Sequence, residues 1–73
     1  MTEARHLLAE ALNCRVEDLP EDAAIGNTPG WDSLAHARVM LALEERLDRQ
    51  LSTDEIAAIG GLADIVAILA AAR

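Results

Sequence analysis

The sequence of 73 residues has no lysine, phenylalanine or tyrosine, and it has only one cysteine, one tryptophan and two histidines. Cys14 alone cannot build a disulfide framework within the chain. Structural zinc needs more cysteine and histidine ligands than this sequence offers, so we expect no metal site. Aromatic and β-branched residues are scarce, which disfavours strands, whereas the abundant Ala and Leu favour helices.

Positive charge is also scarce. The six basic residues are all arginine and face 13 acidic residues, giving a formal net charge of −7. Phosphate backbones attract proteins through clustered Lys and Arg, so we expect no nucleic-acid partner. The longest apolar run, residues 62–72, is too short to span a membrane and contains Asp64. The residues after Met1 lack the basic and apolar stretches of a signal peptide, which predicts a cytoplasmic location.

Helical periodicity predicts an all-α fold in a single domain of residues 1–73. We expect a small antiparallel four-helix bundle, with longer helices at residues 2–13, at 33–49 and from 62 onward. A short helix begins at Ser52, because Ser52 and Glu55 match the capping-box pattern. A long first loop, residues 14–31, contains both prolines, and we expect Val16, Leu19 and Ile25 to anchor it in the core.

The helix at 33–49 carries a broad apolar arc at helical spacing. His36 and Glu44 fall inside this arc, and we expect Glu45 and Arg49 to form an ion pair one turn apart. Asp32 is the natural N-cap, since its carboxylate can accept an N–H of the first turn. The predicted apolar arc consists of Leu34, Ala37, Val39, Met40, Leu41, Leu43 and Leu47.

The run Gly30-Trp31-Asp32-Ser33-Leu34 places a serine at the point where a loop becomes a helix. A helix N-terminus favours an anion, so a phosphodiester on Ser33 is well placed there. A catalytic triad of Ser33 with His36 and Asp32 is disfavoured, because Asp32 is needed as a cap and no nucleophile elbow is present. Ser33 is therefore interpreted as a residue that is modified, in a protein that is not an enzyme.

Gly30-Trp31-Asp32-Ser33-Leu34, followed by Val39-Met40-Leu41-Ala42-Leu43-Glu44-Glu45-Arg46-Leu47, resembles the acyl carrier protein family across essentially the whole chain. The resemblance implies that Ser33 receives a 4′-phosphopantetheine arm from coenzyme A. It implies that Asp32 orients the loop–helix junction and that Leu34 contacts the phosphopantetheinyl transferase. The thiol of the arm, not Cys14, would hold acyl groups as thioesters and present them to partner enzymes.

In this family the helix headed by the serine usually presents acidic residues to basic partners. Glu44, Glu45 and Asp48 match that pattern as partner contacts. Ala35 and Arg38 depart from it, because housekeeping fatty-acid carriers often have acids at these positions. This departure favours a carrier of a specialised pathway, such as polyketide, hybrid peptide or surface-polysaccharide synthesis.

Three other residues near Ser33 have two interpretations each. His36 either contacts the phosphate of the arm or packs half-buried on the loop. Trp31 is either a partner contact or a hydrophobic staple before the cap. Met40 belongs either to the core or to a surface for cargo and partners.

Two other functions remain as alternatives. One is an aminoacyl or peptidyl carrier loaded by an adenylating ligase, although the G-G-x-S motif usual in peptidyl carriers is missing. The other is a helical adaptor that carries no arm. In the carrier interpretation the partners are a phosphopantetheinyl transferase, an acyl- or aminoacyl-loading enzyme and downstream condensing or transfer enzymes, and the carrier itself is expected to be a monomer.

Overall fold

A computed structural model describes residues 2–72, except for the side chain of Thr2. Four α-helices follow one another: α1 (Thr2–Leu12), α2 (Ser33–Leu47), α3 (Thr53–Ala58) and α4 (Leu62–Ala71). No strand is found among the described residues; one isolated bridge joins Ala24 and Gly61. The all-α prediction, with three longer helices and one short one, is confirmed.

α1 and α2 both end at a residue in the left-handed conformation. Asn13 and Asp48 each have φ 57°, a region that Asn and Asp enter more readily than most residues. The Asp48 N–H still donates to the carbonyl of Glu44, which closes the last turn of α2. The two helices therefore end one and two residues earlier than the periodicity predicted. Apolar spacing carries no information about the backbone conformation at a cap.

The core lies where α1, α2 and α4 meet. Its largest fully buried side chains are Leu8 of α1, Val39 and Leu43 of α2, and Leu62 and Ile65 of α4. Burying a side chain of this size contributes about 1.5–3 kcal/mol, so these five residues supply much of the driving force for folding. An ion pair between Glu3 and Arg46 joins the start of α1 to the end of α2, as expected for antiparallel neighbours.

The predicted apolar arc of α2 is too broad. Val39, Met40 and Leu43 are buried, but Leu34 and Leu41 are 65% and 63% exposed. Ala37 is exposed as well. α2 therefore buries a narrow stripe and leaves an apolar strip on its outer side, because helices contact it from one side only.

The long first loop is held both by buried side chains and by hydrogen bonds to its backbone. Leu19 is buried and Val16 is half-buried, but Ile25 is 38% exposed, so its predicted role as an anchor is wrong. The Arg5 guanidinium donates to the carbonyls of Val16 and Leu19, at 3.4 and 2.6 Å. These bonds tie the start of the loop, including a 3-10 helix at Val16–Asp18, back onto α1.

The middle of the loop is fastened to the junction between α3 and α4. The Ile25 N–H donates to the Gly60 carbonyl, and the Leu62 N–H donates to the Ala23 carbonyl, both at 2.9 Å. A Cβ at Gly61 would lie 3.0 Å from the Ala23 carbonyl oxygen, so a larger residue would crowd this close approach. The loop that leads to Ser33 is thereby attached to the junction of α3 and α4.

Candidate functional site

Ser33 is the first residue of α2, and its side chain is exposed. Asp32 precedes it in an extended conformation, and its Oδ1 accepts the Ala35 N–H at 2.9 Å. The predicted cap is confirmed. Because the Asp32 carboxylate is engaged with the helix backbone, it is not placed to orient His36 as a third member of a catalytic triad.

The start of α2 offers a suitable environment for a phosphate. Within residues 2–72, the N–H groups of Ser33 and Leu34 have no hydrogen-bond partner, since the cap engages the N–H of Ala35 instead. Free N–H groups and the macrodipole of this helix of 15 residues favour negative charge beside Ser33. The residues present therefore fit a phosphodiester on the serine.

The loop before Ser33 is a hydrogen-bonded turn. The Ala24 N–H lies within hydrogen-bond distance of Asn27 Oδ1, at 3.1 Å, and of Thr28 Oγ1, at 3.0 Å. The Thr28 N–H donates back to the Ala24 carbonyl, and the Trp31 N–H donates to the Thr28 carbonyl. Gly30 has φ +86°, which glycine adopts without strain. These bonds fix the direction in which the chain enters α2 and so present Ser33 at the surface.

Trp31 does not reach the surface. The residue is only 2% exposed, which favours the interpretation as a staple over that as a partner contact. Its Nε1–H donates to Nδ1 of the half-buried His36 at 3.0 Å, and the two ring centroids are 5.9 Å apart. Trp31 and His36 occupy the two positions that form a hydrophobic staple, before the cap and four residues after it. Here the pair is joined by a hydrogen bond.

Two further predicted partner contacts are not free surface. Met40 is 9% exposed and packs in the core, which favours the first of its two interpretations. Glu44 is half-buried, and its Oε2 accepts the Leu51 N–H at 3.0 Å, which ties the end of α2 to the following loop. The carboxylate of Glu44 therefore has a structural partner already.

The exposed residues of α2 form one outer strip that starts beside Ser33. Arg38, Glu45 and Asp48 are exposed, as predicted for partner contacts, and Leu34 is exposed at the start of the strip. Sequence reasoning missed Leu41, which lies between Arg38 and Glu45 on this strip. The signal was its spacing of seven residues from Leu34, which places both side chains on one face of a helix. We call Leu34, Ala37, Arg38, Leu41, Glu45 and Asp48 the outer strip.

Ala35 is not part of the outer strip. It is 5% exposed and lies among the buried residues of α2. Of the two positions that depart from the charge pattern of the family, only Arg38 lies on the exposed face of α2.

Cys14 lies at the surface, just after α1. Partial burial and the nearby Asp18 raise the pKa of its thiol above the ordinary value. A raised pKa keeps the thiol protonated at neutral pH, which lowers its nucleophilicity.

None of the described helices has the length and apolar character needed to cross a membrane. Among residues 2–72 there is also no group of three or more His, Cys, Asp and Glu side chains that could hold a metal ion.

The fold and site together define a small helical bundle that presents one serine at the head of a long helix. No family model matches the chain. A curated relative does match: acyl carrier protein 3 of Ralstonia nicotianae is 28% identical over 72 residues, which is 99% of this chain and 83% of the relative. This match confirms the predicted resemblance to the acyl carrier protein family.

Proposed function

We propose that this protein is an acyl carrier that is modified with 4′-phosphopantetheine on Ser33, and that it is a carrier and not an enzyme. The observation that carries the proposal is the exposed Ser33 at the capped start of α2, with free N–H groups beside it. The name of the relative in Ralstonia nicotianae supports a carrier role in general. Once attached, the arm supplies a terminal thiol for acyl groups.

Attachment uses the Ser33 hydroxyl as the nucleophile. Its oxygen forms a bond to the phosphorus that bears the pantetheine in coenzyme A, and the bond from that phosphorus to the bridging pyrophosphate oxygen breaks. Adenosine 3′,5′-bisphosphate leaves, and the hydroxyl proton passes to a base of the transferase. The free N–H groups of Ser33 and Leu34 then favour the negative charge of the phosphodiester.

The outer strip of α2 is the docking surface that we assign to the transferase. The outer strip begins at Leu34, next to the modified residue. It includes the exposed Leu41, which lies two helical turns further along the same face. Glu45 and Asp48 lie at its far end and would meet basic residues of the partner. Leu34 and Leu41 supply apolar contact area, and the carboxylates at the far end supply charge for a basic partner.

A specialised pathway is the finer part of the proposal. Arg38 is exposed in the middle of the outer strip and has no ion pair within the described part of the chain. A positive charge at this point opposes a partner whose surface is basic, because like charges across an interface cost binding energy. We infer that the partners of this carrier differ from the enzymes of housekeeping fatty-acid synthesis.

The test is incubation of the purified chain with coenzyme A and a promiscuous phosphopantetheinyl transferase, followed by intact mass measurement. The proposal predicts one added phosphopantetheine in wild type and in Ser52→Ala, and none in Ser33→Ala. Ser52 is a matched control, because it is an exposed serine at the start of α3. No addition to wild type, under conditions that modify a known carrier, would refute the proposal and favour an unmodified adaptor.

The cargo is tested in a second step. The modified chain is incubated with malonyl transferases of specialised pathways and with adenylating ligases that activate amino acids, and the mass of the product is measured. Loading by the transferases supports an acyl carrier, whereas loading only by the ligases shows an aminoacyl or peptidyl carrier.

A further inference from the structure

A hydrogen bond joins Trp31 and His36, which lie on either side of Ser33 in the sequence. Trp31 is two residues before the serine and His36 is three residues after it, and Nε1–H of the indole donates to Nδ1 of the imidazole at 3.0 Å. The indole is buried, so its N–H has no access to water as an alternative acceptor. The bond therefore connects the last residue of the long loop to the first turn of α2.

This bond requires one protonation state of His36. Nδ1 accepts, so a neutral ring carries its proton on Nε2. Adding a second proton places an N–H on Nδ1, facing the indole N–H, and two donors cannot bond to each other. A buried donor that loses its acceptor is destabilising, so protonation of His36 loosens the contact.

Trp31 transmits the contact to the loop. Its N–H donates to the Thr28 carbonyl at 3.0 Å, and its own carbonyl accepts the Gly26 N–H at 3.4 Å. We propose that His36 is a positioning residue for the modification of Ser33: its neutral imidazole holds Trp31, and through Trp31 the loop, so that the serine is presented to the transferase. This inference rests on the proposed attachment of phosphopantetheine to Ser33.

Charged groups around His36 are few. On its own helix the nearest are Asp32, engaged as the cap, and Arg38, which is exposed. The loop carries the exposed Glu21 and Asp22. Within residues 2–72, no hydrogen bond or ion pair joins the imidazole to any of them.

The charges of the other helices are engaged or exposed elsewhere. In α1, Glu3 pairs with Arg46, and Glu10 lines a groove with Ala42 and Glu45, further along α2. In α3, Glu55 pairs with Arg49, and Asp54 is exposed. In α4, Asp64 accepts the N–H groups of Gly60 and Gly61.

The first test is fluorescence, because Trp31 is the only tryptophan and the chain has no tyrosine. Because a protonated ring cannot accept the indole N–H, we expect the Trp31 emission of the unmodified chain to change in one step on acidification. His36→Asn keeps an acceptor oxygen near the place of Nδ1 but does not titrate, so the step should vanish. His6→Asn, the matched control at an exposed histidine, should keep it. A step that persists in His36→Asn would overturn the proposal.

The second test measures the rate of phosphopantetheine addition. The ratio of the wild-type rate to the His36→Asn rate removes the transferase's own pH dependence. We expect this ratio to fall as the pH drops from 8 to 5.5, and the corresponding ratio to His6→Asn to stay constant. His36→Leu lacks an acceptor and should be about tenfold slower than wild type at pH 8, equivalent to about 1.4 kcal/mol in the barrier. This difference should shrink as the pH falls, because wild type then loses the same contact.

The outcomes separate this inference from the proposed function. A ratio that does not change with pH, or a His36→Leu rate equal to wild type, overturns the positioning role and leaves the carrier function intact. A wild-type chain that accepts no phosphopantetheine refutes both. Circular dichroism at the assay temperature shows whether a variant is folded. If His36→Leu is unfolded, the pH dependence of the ratio between wild type and His36→Asn decides the test.

Discussion

At the scale of single residues, neighbouring leucines of α2 differ in whether they pack in the core or lie at the surface. Leu43 is fully buried, whereas Leu41, two residues earlier, is 63% exposed. The same type of side chain therefore has a structural role at one position and is free to contact a partner at the other.

Leu43→Ala and Leu41→Ala form a matched pair. Leu43→Ala removes core packing and should lower the free energy of unfolding by about 2–5 kcal/mol. Leu41→Ala should change it by less than about 0.5 kcal/mol, yet slow phosphopantetheine addition. Urea unfolding and the rate of mass gain check the two effects. Equal destabilisation by both changes would contradict the assignment of Leu41 to the surface, and an unchanged rate would remove it from the docking surface.

Arg38 is the residue that we hold responsible for partner choice. Arg38→Glu replaces the one cation of the outer strip and should raise malonyl loading of the modified chain by a transferase of fatty-acid synthesis. Arg38→Gln, which removes charge without reversing it, should give an intermediate rate. Loading rates that are the same for wild type and both variants would show that Arg38 does not affect this partnership.

The site could be predicted from sequence where local chemistry decides it. Asp32 as a cap and Ser33 at the head of α2 follow from residue type and position alone. Sequence alone leaves two positions open for Trp31 and for Met40, because burial depends on which side of α2 the other helices cover. Leu34 and Leu41 were placed in the core for the same reason: periodicity gives the direction of a side chain but not the width of the contact.

At the scale of the elements, α3 is short and depends on its ends. Ser52 Oγ accepts the Glu55 N–H at 3.1 Å, and Glu55 Oε1 accepts the Ser52 N–H at 2.8 Å, so the predicted capping box is confirmed. Glu55 also pairs with Arg49 at 2.7 Å, which takes the place of the predicted pair between Glu45 and Arg49. Sequence spacing could not find this pair, because its two residues lie on different elements.

The carboxylate of Glu55 makes the stability of the fold depend on pH. The bonds from Arg49 and from the Ser52 backbone lower its pKa from 4.5 to about 2. A depressed pKa contributes stability that is complete above pH 4.5 and lost as the pH falls towards about 2. The difference in urea midpoint between wild type and Glu55→Gln should therefore shrink between pH 6 and pH 2.

Glu45→Gln is the control for Glu55, because Glu45 is exposed and has no hydrogen-bond partner within the described residues. Its urea midpoint should follow that of wild type at both pH values. A difference between wild type and Glu55→Gln that is equal at pH 6 and pH 2 would show that the capping box does not stabilise the fold through its charge.

The connection between α3 and α4 supports the loop before Ser33. Gly61→Ala would push a Cβ against the Ala23 carbonyl oxygen and should destabilise the fold by about 1–3 kcal/mol. Gly60→Ala meets no atom within 4 Å and should leave stability unchanged or slightly raised. Thermal unfolding of both variants compares them directly. Equal effects of the two changes would contradict the close approach of loop and helix.

At the scale of the whole molecule, composition predicted the fold class well. A chain rich in Ala and Leu and poor in aromatic residues formed four helices, with boundaries close to those expected from the apolar spacing. The path of the first loop was beyond sequence reasoning, because it is set by backbone bonds from Arg5 and from the junction of α3 and α4. Such bonds form between residues that are distant in sequence, and no residue pattern predicts them.

The net charge of −7 gives the protein an overall negative potential, which would attract basic partners. The core covers one side of α2 and leaves its outer side uncovered from Ser33 to Asp48. These two features agree with a carrier that presents one serine to several enzymes in turn.

The most direct test of this account is to locate the added mass. Wild-type protein is incubated with coenzyme A and a promiscuous phosphopantetheinyl transferase, digested, and mapped by fragment-ion mass spectrometry. The account predicts one phosphopantetheine, on Ser33, and none on Ser52. An unmodified chain alongside a fully modified control carrier, or an arm found on any residue other than Ser33, would contradict it.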